Sequence, residues 1–457
     1  MSLLNIGMSG LTASMAALNT TSNNVANAAV VGYSRQQVLS SSVAGGQYGG
    51  GAGVNVDGIR RISDQYQVAQ LWHSSSSLGY ANTQQSYHSQ VETVFNTDGN
   101  NISEGLDALF AALNASMEKP SETAYRQGVL NEAKALSQRI NSISDSLSAQ
   151  TTQIESQISA SVNEINTQLE TIARLNTEIQ ASANNGNPSA SLLDSRDVAI
   201  DDLAKIIDIR VTEESNGMVN ISLAQGQPLL AGTTTSTLVT SPLASNPTLN
   251  QVSIEFGQSS FPVDDNTGGS LGALLDYRDN DLANSITFTN EMAKNLADEF
   301  NSVLKNGTDL NGATPTMDLF SYDANNPAGT LTLTSGFTSD MLAFGQDGTP
   351  GDNSNLRALV EIANTNFAFG SINATTTMGD AFAAKIGQLG STARQASLNA
   401  ETSTQLQMDA QAQWSSTSGV NLDEEGANLI KYQQQYQANA KIISTADQLF
   451  QTLLSSI

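Results

Sequence analysis

Residues 4–25 read LNIGMSGLTASMAALNTTSNNV, and residues 422–457 read LDEEGANLIKYQQQYQANAKIISTADQLFQTLLSSI. In the first stretch Leu4, Met8, Leu11, Met15, Leu18, Ser22 and Val25 recur at alternating steps of four and three, a heptad seam with one polar interruption. In the second, Leu422, Leu429, Tyr432, Tyr436, Asn439, Ile443, Ala446, Phe450, Leu453 and Ile457 hold a matching stripe to the last residue. Asn421 is placed to cap this helix, with Glu424 three residues on and Asp423 and Glu425 at the positive end of its dipole. Such a helix is about 54 Å long at about 1.5 Å per residue. The pattern predicts terminal helices that pair as an α-helical coiled coil, with Asn439 fixing register at some cost in stability.

Charge sets these ends apart from the rest. The chain of 457 residues carries 44 acids against 19 bases, a formal net charge of -25. Residues 1–34 have no charged side chain, and residues 427–457 have only Lys431, Lys441 and Asp447. The ends are built to face protein and the middle to face water. An acidic surface repels nucleic-acid phosphates and anionic lipid, so neither is a predicted partner. There is no cysteine, hence no disulfide and no thiol chemistry. The first positive side chain is Arg35, which argues against a cleaved signal peptide. No apolar run approaches the length of about 18 residues that spans a membrane.

Between the ends the periodicity changes several times. Residues 36–60 are rich in Gly and Ser and read as a loop or extended connector. Helix returns over 103–117 and again after Pro120, where Ile140, Ile143, Leu147, Ile154, Ile158 and Val162 begin a stripe that continues through Ile179. Asn184 to Pro188 ends that helix, and a shorter one follows over 192–207 with Ser191 as its cap and Asp194 three residues later. Residues 209–213 and 218–223 alternate around Asn216-Gly217, a hairpin signal. Leu271 to Lys305 is helical, Thr330 to Thr334 a strand, and helices follow over 355–363 and 379–414.

The predicted fold is mainly α with a smaller β-rich part. It has a helical-bundle middle domain and is elongated, because long helices from distant parts of the chain run side by side. Residues 1–40 form the N-terminal helix of a discontinuous terminal coiled-coil domain, completed by the C-terminal helix over 418–457. A helical domain takes 41–206, including the connector, then 269–305 and 379–417. Residues 207–268 are a β-rich outer part and 306–378 an irregular, β-containing outer part.

The inventory for chemistry is thin. His73 and His88 lie outside any HExxH pattern and read as surface residues. Gly49 to Gly53 lacks the spacing of a phosphate loop. Asp264-Asp265-Asn266 and Asp309-Leu-Asn-Gly312 lack the twelfth-position Glu of a calcium loop and read as turns. No catalytic, cofactor-binding or metal-binding residue is predicted, and no enzyme activity.

Gly10-Leu-Thr-Ala-Ser-Met-Ala-Ala-Leu-Asn19, Ser22-Asn-Asn-Val-Ala-Asn27 and Gly32-Tyr-Ser-Arg-Gln36 resemble the N-terminal signature of flagellar rod, hook and hook-associated proteins. Within it, Asn23, Asn24, Asn27, Gly32, Tyr33, Ser34 and Arg35 form the motif. The Tyr33 to Gln36 ending is most similar to the first hook-associated protein family, the hook–filament junction proteins. Ser418-Gly-Val-Asn-Leu-Asp-Glu-Glu425 and Leu429-Ile-Lys-Tyr-Gln-Gln-Gln-Tyr-Gln-Ala-Asn439 resemble the C-terminus of the same family. Ala29-Val30-Val31 departs from the Asn-Thr-Pro that usually stands there, and Phe320 to Gly351 is short where longer relatives carry an outer domain.

The resemblance implies a structural, homo-oligomeric component of the flagellum that supports filament attachment and motility. Its implied partners are the hook protein, the second junction protein and an export chaperone held at the C-terminus. It implies a secreted, extracellular location reached through the flagellar export channel without a cleaved signal, and no membrane insertion. Competing readings are the second junction protein, flagellin, a secreted enzyme on a flagellin-like frame, and a membrane-active amphipathic protein. The last normally carries Lys and Arg on its polar face, which residues 1–34 lack. Each terminal stripe is unsheltered in a lone monomer and loosely ordered before assembly. Limited proteolysis of the purified monomer is accordingly expected to cut the two ends first; ends as resistant as the middle would contradict the reading.

Overall fold

A computed structural model describes residues 3–44, 51–184, 189–349 and 351–455. The helices are α1 (Leu3–Asn27), α2 (Gln65–Asn96), α3 (Ile102–Ser116), α4 (Thr123–Asn184), α5 (Ala190–Ile206), α6 (Gly269–Asp276), α7 (Ala283–Lys305), the single turn α8 (Pro327–Thr330), α9 (Ser354–Glu361), α10 (Met378–Ser418) and α11 (Leu422–Ser455). The strands are β1 (Gln36–Ser42), β2 (Val54–Arg61), β3 (Ile209–Glu213), β4 (Val219–Leu223), β5 (Pro228–Ala231), β6 (Thr234–Thr235), β7 (Thr237–Leu243), β8 (Asn246–Phe256), β9 (Ser259–Pro262), β10 (Phe320–Ser321), β11 (Thr332–Leu333), β12 (Phe367–Phe369) and β13 (Ala374–Thr376). The fold is mainly α with a smaller β part. The chain divides into two compact units, one of residues 1–80, 160–272 and 402–457, the other of 81–159 and 273–401.

In the first unit the β strands form sheets ordered β3-β4-β5-β6 and β7-β8-β9, and β1 pairs antiparallel with β2. Ile165, Leu169, Ile172 and Ile179 are fully buried along α4. Two asparagines between them stand in for backbone. Asn176, itself fully buried, takes the Val219 N–H on Oδ1 at 3.2 Å and donates to Val219 O and Gly232 O at 2.9 and 2.7 Å. Asn166 does the same for both groups of Leu238, at 2.8 and 2.9 Å. Each amide satisfies a donor and an acceptor that would be costly to bury unpaired, and so fixes where the strands meet the helix. The Asn216-Gly217 hairpin forms with Gly217 at φ 83°, a region open to glycine at little cost.

In the second unit Phe95, Phe288, Phe369 and Phe382 are almost wholly buried and stack with ring centroids 5.8–6.4 Å apart. Arg126, buried to 3 % exposure, donates to Pro120 O, Ser339 O and Leu342 O at 2.6, 2.9 and 2.7 Å, and lies 4.5 Å over the Phe344 ring. It ties the loop before α4 to the turns after β11.

Several local expectations change. Where the sequence reads as a loop or extended connector, β1 and β2 pair as antiparallel strands, because Ser and Gln in β1 hide its alternation. The N-terminal helix stops at Asn27, not near residue 40, and α2 is a helix whose Ser- and Gln-rich sequence hides its period. Ser191 lies inside α5, and Asp194 accepts from Ser34 instead of from its own helix end. The breaker run at 185–188 lies outside the described residues. His73 is exposed, but His88 is buried edge-on to Tyr277 at 5.3 Å. Between α6 and α7 the helix passes through a π turn, Tyr277–Leu282, which a continuous apolar stripe does not announce.

Lys385 is 2 % exposed, with its ammonium 2.7 Å from Asn284 Oδ1. Burial pushes it down to about 8, against a smaller opposing pull from Asp281. The neutral form is therefore favoured by folding. Below the folded value both states are charged and the full penalty applies; the penalty fades as pH rises from about 8 through the unfolded value. The shift, less one lost hydrogen bond, predicts that Lys385→Met stabilises the chain by about 2 kcal/mol at pH 7. Urea melts at pH 7 and 9.5 check this: the parent gains stability over that interval and the variant does not.

Candidate assembly site

Along α1 the residues buried in this structure are Gly7, Ser14, Ala17, Thr20, Thr21 and Asn24. With Gly10, the run 7, 10, 14, 17, 21, 24 has the heptad period, displaced by one residue from the Leu and Met stripe. This small-residue face meets α11, which runs antiparallel to it. A Cβ at Gly7 would lie 2.8 Å from Ile443 Cγ1, and one at Gly10 would lie 2.5 Å from Asn439 Oδ1. Asn439 Nδ2 donates to Ser14 Oγ at 3.3 Å. Only glycine and other small side chains allow so close an approach.

The apolar stripe lies on the flank. Leu4, Met8, Met15 and Val25 are exposed, and Leu11 and Leu18 are half-buried. On α11, Tyr432, Asn439 and Ile443 are half-buried toward α1, whereas Leu422, Leu429, Tyr436, Phe450 and Leu453 are exposed. Ile457 lies outside the described residues.

At the far end of α1 the motif residues converge. Asn24, 1 % exposed, uses every hydrogen-bonding position of its amide. Oδ1 accepts from Tyr33 Oη at 2.9 Å and from the Gln36 N–H at 3.0 Å; Nδ2 donates to Gln36 O at 2.9 Å and to Glu425 Oε2 at 3.1 Å. Arg35 Nε donates to Glu425 Oε1 at 2.7 Å, and its Nη1 to Glu424 Oε2 at 2.6 Å. The Arg35 N–H reaches Ser418 O at 2.7 Å. Burial, then the nearby charges of Asp194 and Glu425, push the Tyr33 hydroxyl up to about 12, so it stays protonated as a donor.

Around this node the chain is pinned on both sides. Gly32 turns at φ 76° with its α-carbon against Val198, where a Cβ would fall 2.2 Å from Cγ2. The turn forms despite Val30 and Val31, which are left exposed. The Ser34 N–H donates to Asp194 Oδ2 at 3.2 Å, and Arg61 Nη1 bridges Asp194 and Asp197 at 3.1 and 2.6 Å. Asn27 folds back on Asn23, donating to its side chain and backbone oxygens at 2.9 Å. Asn421 caps α11 by accepting from the N–H groups of Asp423 and Glu424. The sequence marks the motif without revealing its partners, Glu425 and Asp194, which come from 401 and 160 residues away. The small-residue heptad was visible in Gly7, Gly10, Ser14 and Ala17, but a search for apolar periodicity passes over it. Asp309 Oδ1 accepts from the N–H groups of Asn311 and Ala313, so that calcium-like segment is a turn.

The described residues hold no group of three or more His, Cys, Asp or Glu arranged for a metal ion, and no helix long and apolar enough to cross a membrane. Two family models fall on the pinned ends: a flagella basal body rod protein model on residues 4–33, and a flagellar basal body rod FlgEFG protein C-terminal model on 411–456. A third, the flagellar hook-associated protein FlgK helical domain, matches residues 88–320, half of the chain. The chain belongs to the FlgK family. It is 28 % identical to the flagellar hook-associated protein 1 of Salmonella typhimurium over 99 % of both chains, and 27 % identical to that of Bacillus subtilis over 98 % of this chain and 96 % of the relative. The FlgK hook junction protein of Burkholderia pseudomallei shares the fold, with a TM-score of 0.66 at 16 % identity, over 76 % of this chain and 99 % of that one. As a FlgK family member the chain is a structural component of the flagellum at the hook–filament junction, and it associates with the hook and other flagellar proteins.

The node gives the two ends one shared anchor. Removing Glu425 would leave Arg35 and Asn24 without their common acceptor, which costs about 2 kcal/mol for a pair only partly open to water. Glu425→Ala is expected to speed proteolytic cleavage within α1 about thirtyfold while the rest of the chain is cut as before. Arg35→Ala added to it should change the rate little further, since the pair it alone still removes, to the exposed Glu424, contributes little.

Proposed function

We propose that the α1–α11 pair, locked by the Asn24–Arg35–Glu425 node, is the unit that enters the junction, and that its exposed apolar flanks receive neighbouring copies. One observation carries this: the pair fills its own seam with small residues and leaves Met8, Met15, Leu429, Phe450 and Leu453 facing outward. A monomer gains nothing from side chains so placed. Burial of each Leu or Phe contributes about 1.5–3 kcal/mol, so a handful suffices to order the ends on assembly.

On this reading residues 1–40 and 418–457 act as one discontinuous assembly domain. The chain is a homo-oligomer between the hook protein and the second junction protein, without catalysis. It leaves the cell unfolded and without a cleaved signal, its C-terminal segment held by an export chaperone until it is used. The Salmonella typhimurium relative aligns with it over 556 positions, about a hundred more than its 457 residues, and the Bacillus subtilis relative over 494, in keeping with an outer part of reduced size.

Deleting residues 430–457 is expected to leave a soluble helical protein that no longer joins the junction. Cells carrying only this truncation should export filament subunits into the medium without building filaments. Filaments growing on hooks made with the truncated chain would overturn the assembly role of α11.

A further inference from the structure

The chain has ten methionines and no cysteine, so thioethers are its softest groups toward oxidants. Their surroundings differ. Met292 on α7 and Met378 at the start of α10 are buried. Among the described residues only Met8, Met15 and Met408 are exposed. Met408 stands on α10. Met8 and Met15, at 51 and 53 % exposure, lie seven residues apart on α1 and share the flank that its contact with α11 leaves open.

Methionine at these two places has a consequence that leucine would not have. The unbranched thioether adapts to apolar surface much as leucine does. It also accepts an oxygen atom. Peroxide transfers one oxygen to the sulfur: the O–O bond breaks, the thioether is oxidised to a sulfoxide, and the peroxide is reduced to water. The new S=O group is a hydrogen-bond acceptor, costly to bury unless a donor meets it. The stripe itself offers none, because Leu4, Leu11 and Leu18 fill the positions before, between and after the two methionines. Residues 1–34 add no charged donor. Thr12, four residues beyond Met8, has its hydroxyl committed to Met8 O at 3.0 Å. In the free chain both sulfurs meet water, which hydrates the added oxygen without loss.

We propose that Met8 and Met15 are an oxidation site of the unassembled chain, where peroxide adds sulfoxide oxygens that bar α1 from the junction. Once a neighbour covers the flank the same sulfurs are out of reach, so only free subunits are withdrawn. The inference rests on the reading that these flanks receive neighbouring copies, and it adds the condition under which they do not. The two fail separately, because shielding of the sulfurs and the effect of their oxidation are different measurements.

The full-length chain, free and in isolated hook–filament junctions, is treated with hydrogen peroxide and its methionines are followed by peptide mass mapping. In the free chain Met8 and Met15 are expected to oxidise at least about tenfold faster than Met292 and Met378. Rates equal to those of the buried pair would remove the site. In junctions both should join the slow class; oxidation as fast as in the free chain would sink the reading of the flanks, and this site with it. The oxidised chain, offered to hooks that lack it, should be incorporated about a hundredfold less well than the untreated chain, about tenfold for each sulfoxide. The double variant Met8→Leu, Met15→Leu conserves volume and should assemble as the parent does, before and after peroxide. Met408→Leu should lose incorporation on treatment, as the parent does. Sulfurs shielded in junctions, together with parental incorporation of the oxidised chain, would overturn the proposal and leave the flank reading standing. So would peroxide sensitivity in the double leucine variant or resistance in Met408→Leu, either of which places the sensitive group elsewhere.

Discussion

The carboxylate of Glu425 is the point at which the two ends of this chain become one structure. It accepts from Arg35 on one oxygen and from Asn24 on the other, and so joins α11 to α1 and to the strand that leaves α1. A buried carboxylate is tolerable only when its lone pairs are met, and both donors are supplied by the N-terminal motif. Asn24 then repeats the logic one step out, spending its remaining positions on Tyr33 and Gln36. Register between helices from opposite termini is thus set by hydrogen-bond satisfaction, which tolerates no slip, more than by apolar packing, which tolerates some.

This division has a structural corollary. Since polar groups and glycines hold α1 to α11, the apolar side chains are free for other use. Gly7 and Gly10 bring the backbones close enough for Asn439 to reach Ser14, and the Leu and Met stripe is displaced to the flank. A pair sealed by leucines would be more stable alone and would present less to its neighbours. The same economy runs through the first unit, where Asn166 and Asn176 on α4 bind sheet backbone that a purely apolar helix could not orient.

The buried charges fall into two groups. Arg35, Arg61 and Arg126 have acceptors matched to their donors and act as clamps between distant segments. Lys385 and Arg196 are less well met: the Lys385 ammonium has the Asn284 amide oxygen as its acceptor and lies 5.9 Å from the Phe288 ring, and the Arg196 Nε is buried without a hydrogen-bond partner. Unsatisfied charge inside a protein carries a cost in stability.

Much of this was written in the order of residues. The heptad stripes announced α1 and α11, the isoleucines at 140, 143, 154 and 158 announced α4, and Asn216-Gly217 announced the β3–β4 hairpin, because each depends on neighbours within a few positions. The motif from Asn23 to Arg35 was legible as a motif, though not as a network. Only the folded chain decided that Glu425 and Asp194 are its acceptors, that His88 is buried, that Ser- and Gln-rich segments form β1 and α2, and which of two adjacent faces of α1 meets α11. Local periodicity fixes which residues share a side of a helix. Which side is covered depends on how closely two backbones can approach and on whether every buried donor finds an acceptor, and those conditions are met by residues hundreds of positions apart.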